Sequence, residues 1–96
     1  MPMARRERVK KVIDGDTFKT PSRTRPVRLA GVNTPEKGQP GYAAAKDALT
    51  RLVKDKTVEI DTRARDRFGR SVANVKVDGR SVNRAMKKPS MKKRGK

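Results

Sequence analysis

The sequence predicts a small α+β domain, namely a five-stranded OB-like β-barrel with a basic surface. Three observations support this fold class. Five short strand-like segments lie between turn signals, one amphipathic helix falls between the third and fourth of them, and the formal net charge is +17 over 96 residues. A short helix is also predicted after the fifth strand. A chain of this length is sufficient for one domain.

The predicted domain spans residues 8–86. We expect a flexible basic arm before it, over residues 1–7, and a disordered basic tail after it, over residues 87–96. The tail contains six basic residues and no acidic one, and such a composition has too little apolar surface to fold on its own.

The first three strands are predicted at residues 9–13, 17–20 and 27–32. Asp14 and Gly15 separate the first two, and this dipeptide between strand-like runs is typical of a β-hairpin turn. A polar loop with two prolines separates the second strand from the third, because proline interrupts the pairing of strands.

The clearest helix is predicted from Ala43 to Lys54. Its apolar residues recur at helical spacing and form one stripe, made of Ala45, Ala48, Leu49, Leu52 and Val53. Asp47 and Arg51 stand four positions apart, in the order that favours an ion pair on a helix. We therefore expect the helix to bury one face against the barrel and to expose the other.

The remaining elements follow this helix. The fourth and fifth strands are predicted at residues 57–62 and 71–77, with an arginine-rich turn at 63–70 between them. Ser81 is expected to cap the short final helix, which Pro89 ends.

The amino-acid composition limits the kind of partner the protein can bind and the side chains that can carry catalysis. Lys and Arg number 27 against 10 Asp and Glu, which favours a polyanionic partner, most commonly nucleic acid. No long apolar run or strongly amphipathic basic helix supports a membrane partner. The sequence contains no His, so catalysis must use carboxylates, Lys, Arg, Tyr or hydroxyl groups. Only 17 residues are Leu, Ile, Val or Phe, so we expect marginal stability that increases when an ion or nucleic acid binds.

Two carboxylates stand one residue apart in the stretch IDGDTF, at Asp14 and Asp16. One interpretation is a plain hairpin turn, because Asp favours turns. The other is a site for a hard cation, because calcium takes oxygen ligands and often several carboxylates. Side chains two positions apart on a strand point the same way, so both acids could serve one ion.

A second group of oxygen atoms follows the third strand, at Asn33, Thr34 and Glu36. One interpretation is a helix start, with Asn33 as the N-cap, Pro35 just inside and Glu36 at the capping-box offset. Glycines and prolines follow at once, which leaves the two interpretations about even. In the second interpretation, Asn33 and the Thr34 carbonyl supply neutral oxygens to a metal, and Glu36 is a base.

Four blocks of sequence, VIDGDTF, VRLAGVNTPE, DRFGR and VDGRSVNRAM, occur in this order. In order and spacing they resemble the staphylococcal nuclease (thermonuclease) family over roughly residues 8–86. The resemblance implies a five-stranded OB-type barrel that cleaves phosphodiester bonds in DNA and RNA and uses calcium. The chain resembles a short form of this family that lacks the C-terminal part.

The resemblance also implies a metal site. Asp16 matches a direct calcium ligand, with Asp14 close behind it. The Thr34 carbonyl matches a further ligand, and Asn33 stands where the family often has a ligand Asp. This change removes one negative charge, so we expect weaker calcium affinity, or use of another hard divalent cation such as magnesium or manganese.

The same comparison of motifs implies catalytic and nucleotide-binding residues. Arg28 and Arg70 match two arginines that hold the reacting phosphate, although an arginine in so basic a chain is more commonly a solvated charge. Glu36 matches the carboxylate that activates or orients the attacking water. Arg67 and Phe68 match a basic and an aromatic residue that contact the nucleotide, with Phe68 in place of the frequent Tyr.

We therefore expect a metal-dependent nuclease of low sequence specificity that acts on DNA, RNA or both, as a monomer or weak homodimer. The alternative is a non-catalytic basic OB-fold protein that binds nucleic acid, since small basic domains are usually binders. Acids in a binding site would repel phosphate unless a cation neutralised them, and this favours the nuclease. If the chain is complete, we expect a cytoplasmic protein, and a phage or plasmid origin would be compatible with a nuclease kept inside its host.

Overall fold

The computed structural model describes residues 5–87 and contains seven strands and two helices within that range. The elements, in chain order, are β1 (Arg5–Arg8), β2 (Lys11–Asp14), β3 (Thr17–Lys19), β4 (Val27–Leu29), α1 (Tyr42–Val53), β5 (Thr57–Arg65), β6 (Ser71–Val77), β7 (Arg80–Ser81) and α2 (Val82–Lys87). All seven strands belong to one mixed sheet.

The sheet curls, and a single stretch of chain joins its two edges. The strand order is β1-β5-β6-β4-β3-β2, with β7 paired to β6. At the junction of β1 and β2, the Val9 amide donates to the Lys56 carbonyl and the Lys10 amide donates to the Lys19 carbonyl, each at 2.9 Å. The continuous segment 5–14 therefore pairs with β5 at one end and with β3 at the other. This arrangement fits the predicted OB-like architecture.

The hydrophobic core fills the inside of the curl. Its largest fully buried side chains are Phe18, Leu29, Leu49 and Ile60, surrounded by six valines with at most 1% exposure. Helix α1 contributes Ala45, Leu49 and Val53 to this core, which are members of the predicted apolar stripe. The predicted ion pair between Asp47 and Arg51 forms on its outer face at 3.0 Å, where both side chains are exposed.

The largest differences from the sequence prediction concern the strands. The structure has seven strands where five were predicted, and the additional ones are β1 and β7. The predicted basic arm is wrong for residues 5–7, which pair with β5. An apolar pattern could not reveal β1, because its inward-facing residue is Glu7. Residues 1–4, and the predicted tail from residue 88 onward, lie outside the described residues.

Two turns also differ from the prediction. The hairpin turn is formed by Gly15 and Asp16, because β2 extends through Asp14 with a bulge in its pairing. Strand β5 continues to Arg65, past the predicted end at residue 62, because it resumes its pairing with β6 after a second bulge. Residues 33–36 are not helical, so the interpretation of this segment as a helix start is wrong.

Helix α2 is held to the sheet by a buried asparagine. Ser81 caps the helix as predicted, since its hydroxyl accepts a hydrogen bond from the Arg84 amide at 3.0 Å. The Asn83 side chain accepts a bond from the Val75 amide at 2.8 Å and donates to the carbonyls of Ala30 and Ala73 at 3.0 Å. One side chain therefore connects α2, β6 and the end of β4.

Replacing Asn83 by alanine should lower the free energy of unfolding by about 2 kcal/mol, because buried backbone groups lose their partners. Chemical denaturation of the two proteins measures the difference. Asn74→Ala is the matched control, since Asn74 lies exposed on the neighbouring strand β6. Equal stability losses in the two variants would contradict this role for Asn83.

Among the helices of residues 5–87, none combines the length and apolar character that a membrane span requires.

Candidate active site

One cleft of about 460 Å³ gathers most of the predicted site residues. It is lined by Asp14, Asp16, Arg28, Asn33, Thr34, Pro35, Glu36, Lys37 and Arg70. We call it the active cleft. It lies where the β2–β3 turn, β4, the loop after β4 and the start of β6 meet. All seven residues predicted as catalytic or metal-binding are present in it.

The β2–β3 turn brings both aspartates to the active cleft because Gly15 has no side chain. A Cβ atom at this position would lie 2.7 Å from the Ala45 Cβ and 2.8 Å from the Thr34 Oγ1. The turn can therefore pack directly against both helix α1 and the loop that follows β4. The glycine allows three separate parts of the chain to meet at the cleft.

Tyr42, the first residue of α1, binds the same turn from the helix side. Its hydroxyl lies 2.8 Å from the Asp14 Oδ1 and 3.1 Å from the Ile13 carbonyl oxygen. The hydrogen bond to Asp14 raises the pKa of the Tyr42 phenol above its ordinary value. Tyr42 therefore stays a neutral donor that fixes the orientation of the Asp14 carboxylate.

Arg28 lies against the floor of the cleft and is held by several acceptors. Its guanidinium pairs with the Asp16 carboxylate at 3.3 Å. It also donates to the carbonyls of Leu29 and Val32 at 3.0 and 3.1 Å, and to the Asn33 Oδ1 at 3.3 Å. These bonds fix the position of a planar, permanently charged group beside Asp16 and Asn33, two of the four metal-ligand candidates.

Glu36 projects from the loop that closes one side of the active cleft. A hydrogen bond from its backbone amide to the Gln39 side chain, at 2.7 Å, fixes the local backbone. Within residues 5–87 no hydrogen bond or ion pair to the Glu36 carboxylate is found. The carboxylate is exposed, so it is accessible to a water molecule.

Arg70 reaches the cleft from the turn between β5 and β6, and Asp66 positions it. The Asp66 carboxylate accepts bonds from the Arg70 Nε at 2.6 Å and from the amides of Phe68 and Arg70 at 2.9 Å. Desolvation would raise the pKa of Asp66, but these bonds and the charge of Arg70 outweigh it and hold the pKa below its ordinary value. Asp66 therefore remains ionised and fixes both the turn and the guanidinium.

The two predicted nucleotide-binding residues lie beside the active cleft and do not line it. Phe68 is 64% exposed at the tip of the turn. The guanidinium carbons of Arg67 and Arg70 stand 5.8 and 5.2 Å from the centre of its ring. An exposed ring flanked by cations is suited to stacking on a nucleobase.

The donors of the active cleft are suited to a hard cation in kind but carry little charge. Carboxylate, amide and backbone oxygens are the ligands that calcium and magnesium take. Within residues 5–87, however, no three Asp, Glu, His or Cys side chains form a metal-binding group. Among the residues predicted to bind the metal, Asp14 and Asp16 bring two carboxylates to the cleft, and Asn33 brings a neutral amide oxygen.

Two residues of this site were missed by the sequence prediction, namely Tyr42 and Asp66. Asp66 had an available signal, because Asp followed by a glycine-containing turn favours hydrogen bonding to its own backbone. Tyr42 had no such signal, since its partner Asp14 lies 28 positions away in sequence.

Comparison with known proteins identifies the family. The sequence profile described as "Staphylococcal nuclease homologue" matches residues 26–92. An "Uncharacterized endonuclease" of Escherichia coli O157:H7 is 38% identical over 82 residues, which cover 82% of this chain and 54% of that protein. An "Uncharacterized endonuclease" of Haemophilus influenzae is 34% identical over 87 residues, covering 88% of this chain and 49% of that protein.

A plant protein is also similar, the "Probable staphylococcal-like nuclease CAN1" of Oryza sativa subsp. japonica. It is 36% identical over 62 residues, which cover 65% of this chain and 19% of that protein. The chain spans about half the length of the two bacterial relatives. The family profile covers more than two thirds of the sequence, from the start of β4 through α2. On these grounds, the chain belongs to the staphylococcal nuclease family.

Proposed function

We propose that this chain is a metal-dependent nuclease that hydrolyses phosphodiester bonds in DNA, RNA or both with low sequence specificity, and that its metal is calcium. The observation that carries the proposal is the active cleft itself. It combines two arginines, an exposed carboxylate and a group of oxygen donors within about 460 Å³. Family membership adds support, because the bacterial relatives are named endonucleases.

The two arginines are proposed to bind the reacting phosphate. Attack on a phosphodiester increases the negative charge around a phosphorus centre that is already anionic. Planar guanidinium groups can donate paired hydrogen bonds to its oxygens, and these bonds strengthen as the charge grows. Asp66 positions Arg70, and the carbonyls of Leu29 and Val32 position Arg28. Arg28 would exchange its contacts with Asp16 and Asn33 for the phosphate when the substrate binds.

Glu36 is proposed to orient the attacking water and accept its proton. The sequence has no His, and the Glu36 carboxylate is exposed in the cleft that also contains both arginines. A positioned carboxylate is a competent general base for such a step. Hydrogen bonding between the backbone of Glu36 and Gln39 limits the movement of this loop.

Asp14, Asp16, Asn33 and Thr34 are the residues that would hold the cation. When bound, a divalent cation supplies positive charge beside the phosphate and permits acids to stand where an anion must bind. Tyr42 fixes Asp14, and Thr17 donates a hydrogen bond to the Asp16 carboxylate at 2.8 Å. Both carboxylates are therefore already oriented by the chain.

The proposal is tested by incubating plasmid DNA, single-stranded DNA and RNA with the protein. Each substrate receives calcium, magnesium, manganese or a chelator. A double variant, Glu36→Gln with Arg70→Ala, is purified in parallel to reveal any contaminating nuclease. We expect the wild type to cut with calcium and the chelator to stop it. Binding of DNA without any metal-dependent cutting would instead identify a non-catalytic binding protein.

Replacing Asn33 by aspartate should tighten calcium binding by about tenfold, because a third carboxylate joins the site. Isothermal titration calorimetry of the two proteins measures the change. The matched control is Asn74→Asp, which adds the same charge on an exposed part of β6, outside the active cleft. Equal calcium affinities for wild type and Asn33→Asp would contradict the placement of the cation at Asn33.

A further inference from the structure

A second, basic cleft adjoins the turn that carries Arg70. It has a volume of about 340 Å³, and its lining includes Arg5, Arg23, Arg25 and Arg65. We call it the arginine cleft. Glu7 is its one acidic residue, so the lining carries a net charge of +3. The concave shape concentrates positive potential that a flat surface would spread out.

Glu7 neutralises only one of the four arginines. Glu7 is 7% exposed, and its carboxylate accepts bonds from Arg23 at 2.9 Å and from the Thr20 hydroxyl at 2.6 Å. The Arg23 Nη1 donates to the Ser71 hydroxyl at 2.9 Å. Arg5 is 71% exposed and stands 3.9 Å from Glu7, so it is only loosely paired.

The other two arginines bind neutral acceptors in the β5–β6 turn. The Arg25 Nη1 donates to the Phe68 carbonyl and the Arg65 Nη1 to the Gly69 carbonyl, each at 3.2 Å. Among residues 5–87, neither guanidinium forms an ion pair with a carboxylate. Both guanidinium groups therefore keep full positive charge and unused donors toward the arginine cleft.

The β5–β6 turn connects this cleft to the active cleft. Arg25 and Arg65, which line the arginine cleft, bind carbonyls of the turn, and Arg70 extends from the same turn into the active cleft. Phe68 is exposed in the same turn and lines neither cleft. A nucleic-acid strand that crosses the turn would meet arginines in each cleft and the exposed ring of Phe68.

We propose that the arginine cleft binds a second backbone phosphate of the strand whose reacting phosphate lies in the active cleft. The inference rests on the proposed function and adds a requirement of substrate length. Mononucleotides and very short oligonucleotides reach one cleft only, whereas a longer strand reaches both. The affinity should therefore rise with strand length by more than the added number of phosphates alone would produce.

The test measures binding under conditions that exclude cutting. Fluorescence anisotropy with calcium present, in a Glu36→Gln background that prevents cutting, reports the affinity for a labelled thymidylate strand of about 16 nucleotides, a length within OB-fold site sizes. An unlabelled thymidine trinucleotide and inorganic phosphate are measured by competition. The cleft variant is Arg5→Ala, because Arg5 makes no bond to the β5–β6 turn. The matched control is Arg6→Ala, which removes the same charge from the same strand on its opposite face.

Arg5→Ala is expected to weaken binding of the long strand roughly fivefold, as the loss of one exposed phosphate contact would. The slope of log affinity against log salt should become shallower by about 0.7. Trinucleotide binding should not change, and Arg6→Ala should affect the long strand less than twofold. Equal effects of the two variants, or an effect on competing inorganic phosphate without one on the long strand, would overturn the inference. A protein that binds in this way but never cuts would overturn only the proposed function.

Discussion

Replacing Arg70 by alanine is expected to lower the turnover rate of DNA cleavage by about 10²–10³-fold, as the loss of one positioned donor to a developing charge typically does. Arg70 lines the active cleft and is held there by Asp66 through a 2.6 Å contact. Initial rates on saturating single-stranded DNA measure the effect. Arg63→Ala is the matched control, because Arg63 is exposed on β5 and its ion pair is with Asp61, outside the cleft.

Arg70→Lys distinguishes the shape of the group from its charge. Lysine keeps the charge but loses the planar, paired donors, so we expect it to recover only a small part of the activity. Asp66→Asn should lower the turnover rate less than Arg70→Ala does, because Arg70 remains present but is positioned less firmly. An Arg70→Ala variant as active as Arg63→Ala would exclude Arg70 from the reaction.

Replacing Glu7 by glutamine should lower the free energy of unfolding by about 2–3 kcal/mol, since it leaves the partly buried Arg23 without its charged partner. Glu7 lies in β1 and connects this strand to the loop before β4 through Thr20, Ser22 and Arg23. Urea denaturation monitored by circular dichroism measures the loss. Glu59→Gln makes the same chemical change on β5, and we expect a much smaller effect there.

The pH dependence of stability gives an independent check on Glu7. Burial would raise its pKa, but the hydrogen bonds from Thr20, Arg23 and Ser22, with the charge of Arg23, hold the pKa below the ordinary value of 4.5. A lowered pKa in the folded state stabilises the protein above the unfolded pKa, and this stabilisation disappears as pH falls through the folded pKa. Wild type should therefore lose stability below about pH 4.5. An equally steep loss in Glu7→Gln would assign the acid sensitivity to other carboxylates.

The sequence was informative where local pattern and local structure agree. Helix α1 begins and ends within one residue of its predicted bounds, because its apolar stripe faces the core. Strand β6 spans the predicted residues 71–77, where Ala73 and Val75 alternate with outward-facing residues. The predicted metal and catalytic residues lie in three motifs, VIDGDTF, VRLAGVNTPE and DRFGR. Each motif contains or adjoins a turn or loop, and these turns and loops meet at the cleft.

The features that the sequence did not reveal depend on contacts between distant residues. Strand β1 reads RRER, and no propensity or alternation of apolar residues marks it. It is a strand because its backbone pairs with β5, and Glu7 stabilises it by binding residues of the loop that precedes β4. Tyr42 and Asp14 meet only when α1 has packed on the β2–β3 turn. The fold itself creates such pairs, so a one-dimensional pattern does not contain them.

The segment that joins the two edges of the sheet also bears on the order of folding. Arg5 stands opposite Ile60, so the ribosome must synthesise β5 before β1 can pair with it. The hairpin of β2 and β3 can form much earlier, because its partners are neighbours in sequence. Pairing across so long a stretch has a large loop-closure cost and is characteristically slow. We therefore expect the pairing of β1 with β5, which joins the two edges of the sheet, to be a late step in folding. Until it forms, the unpaired edge of β5 should be the most aggregation-prone part of the nascent chain.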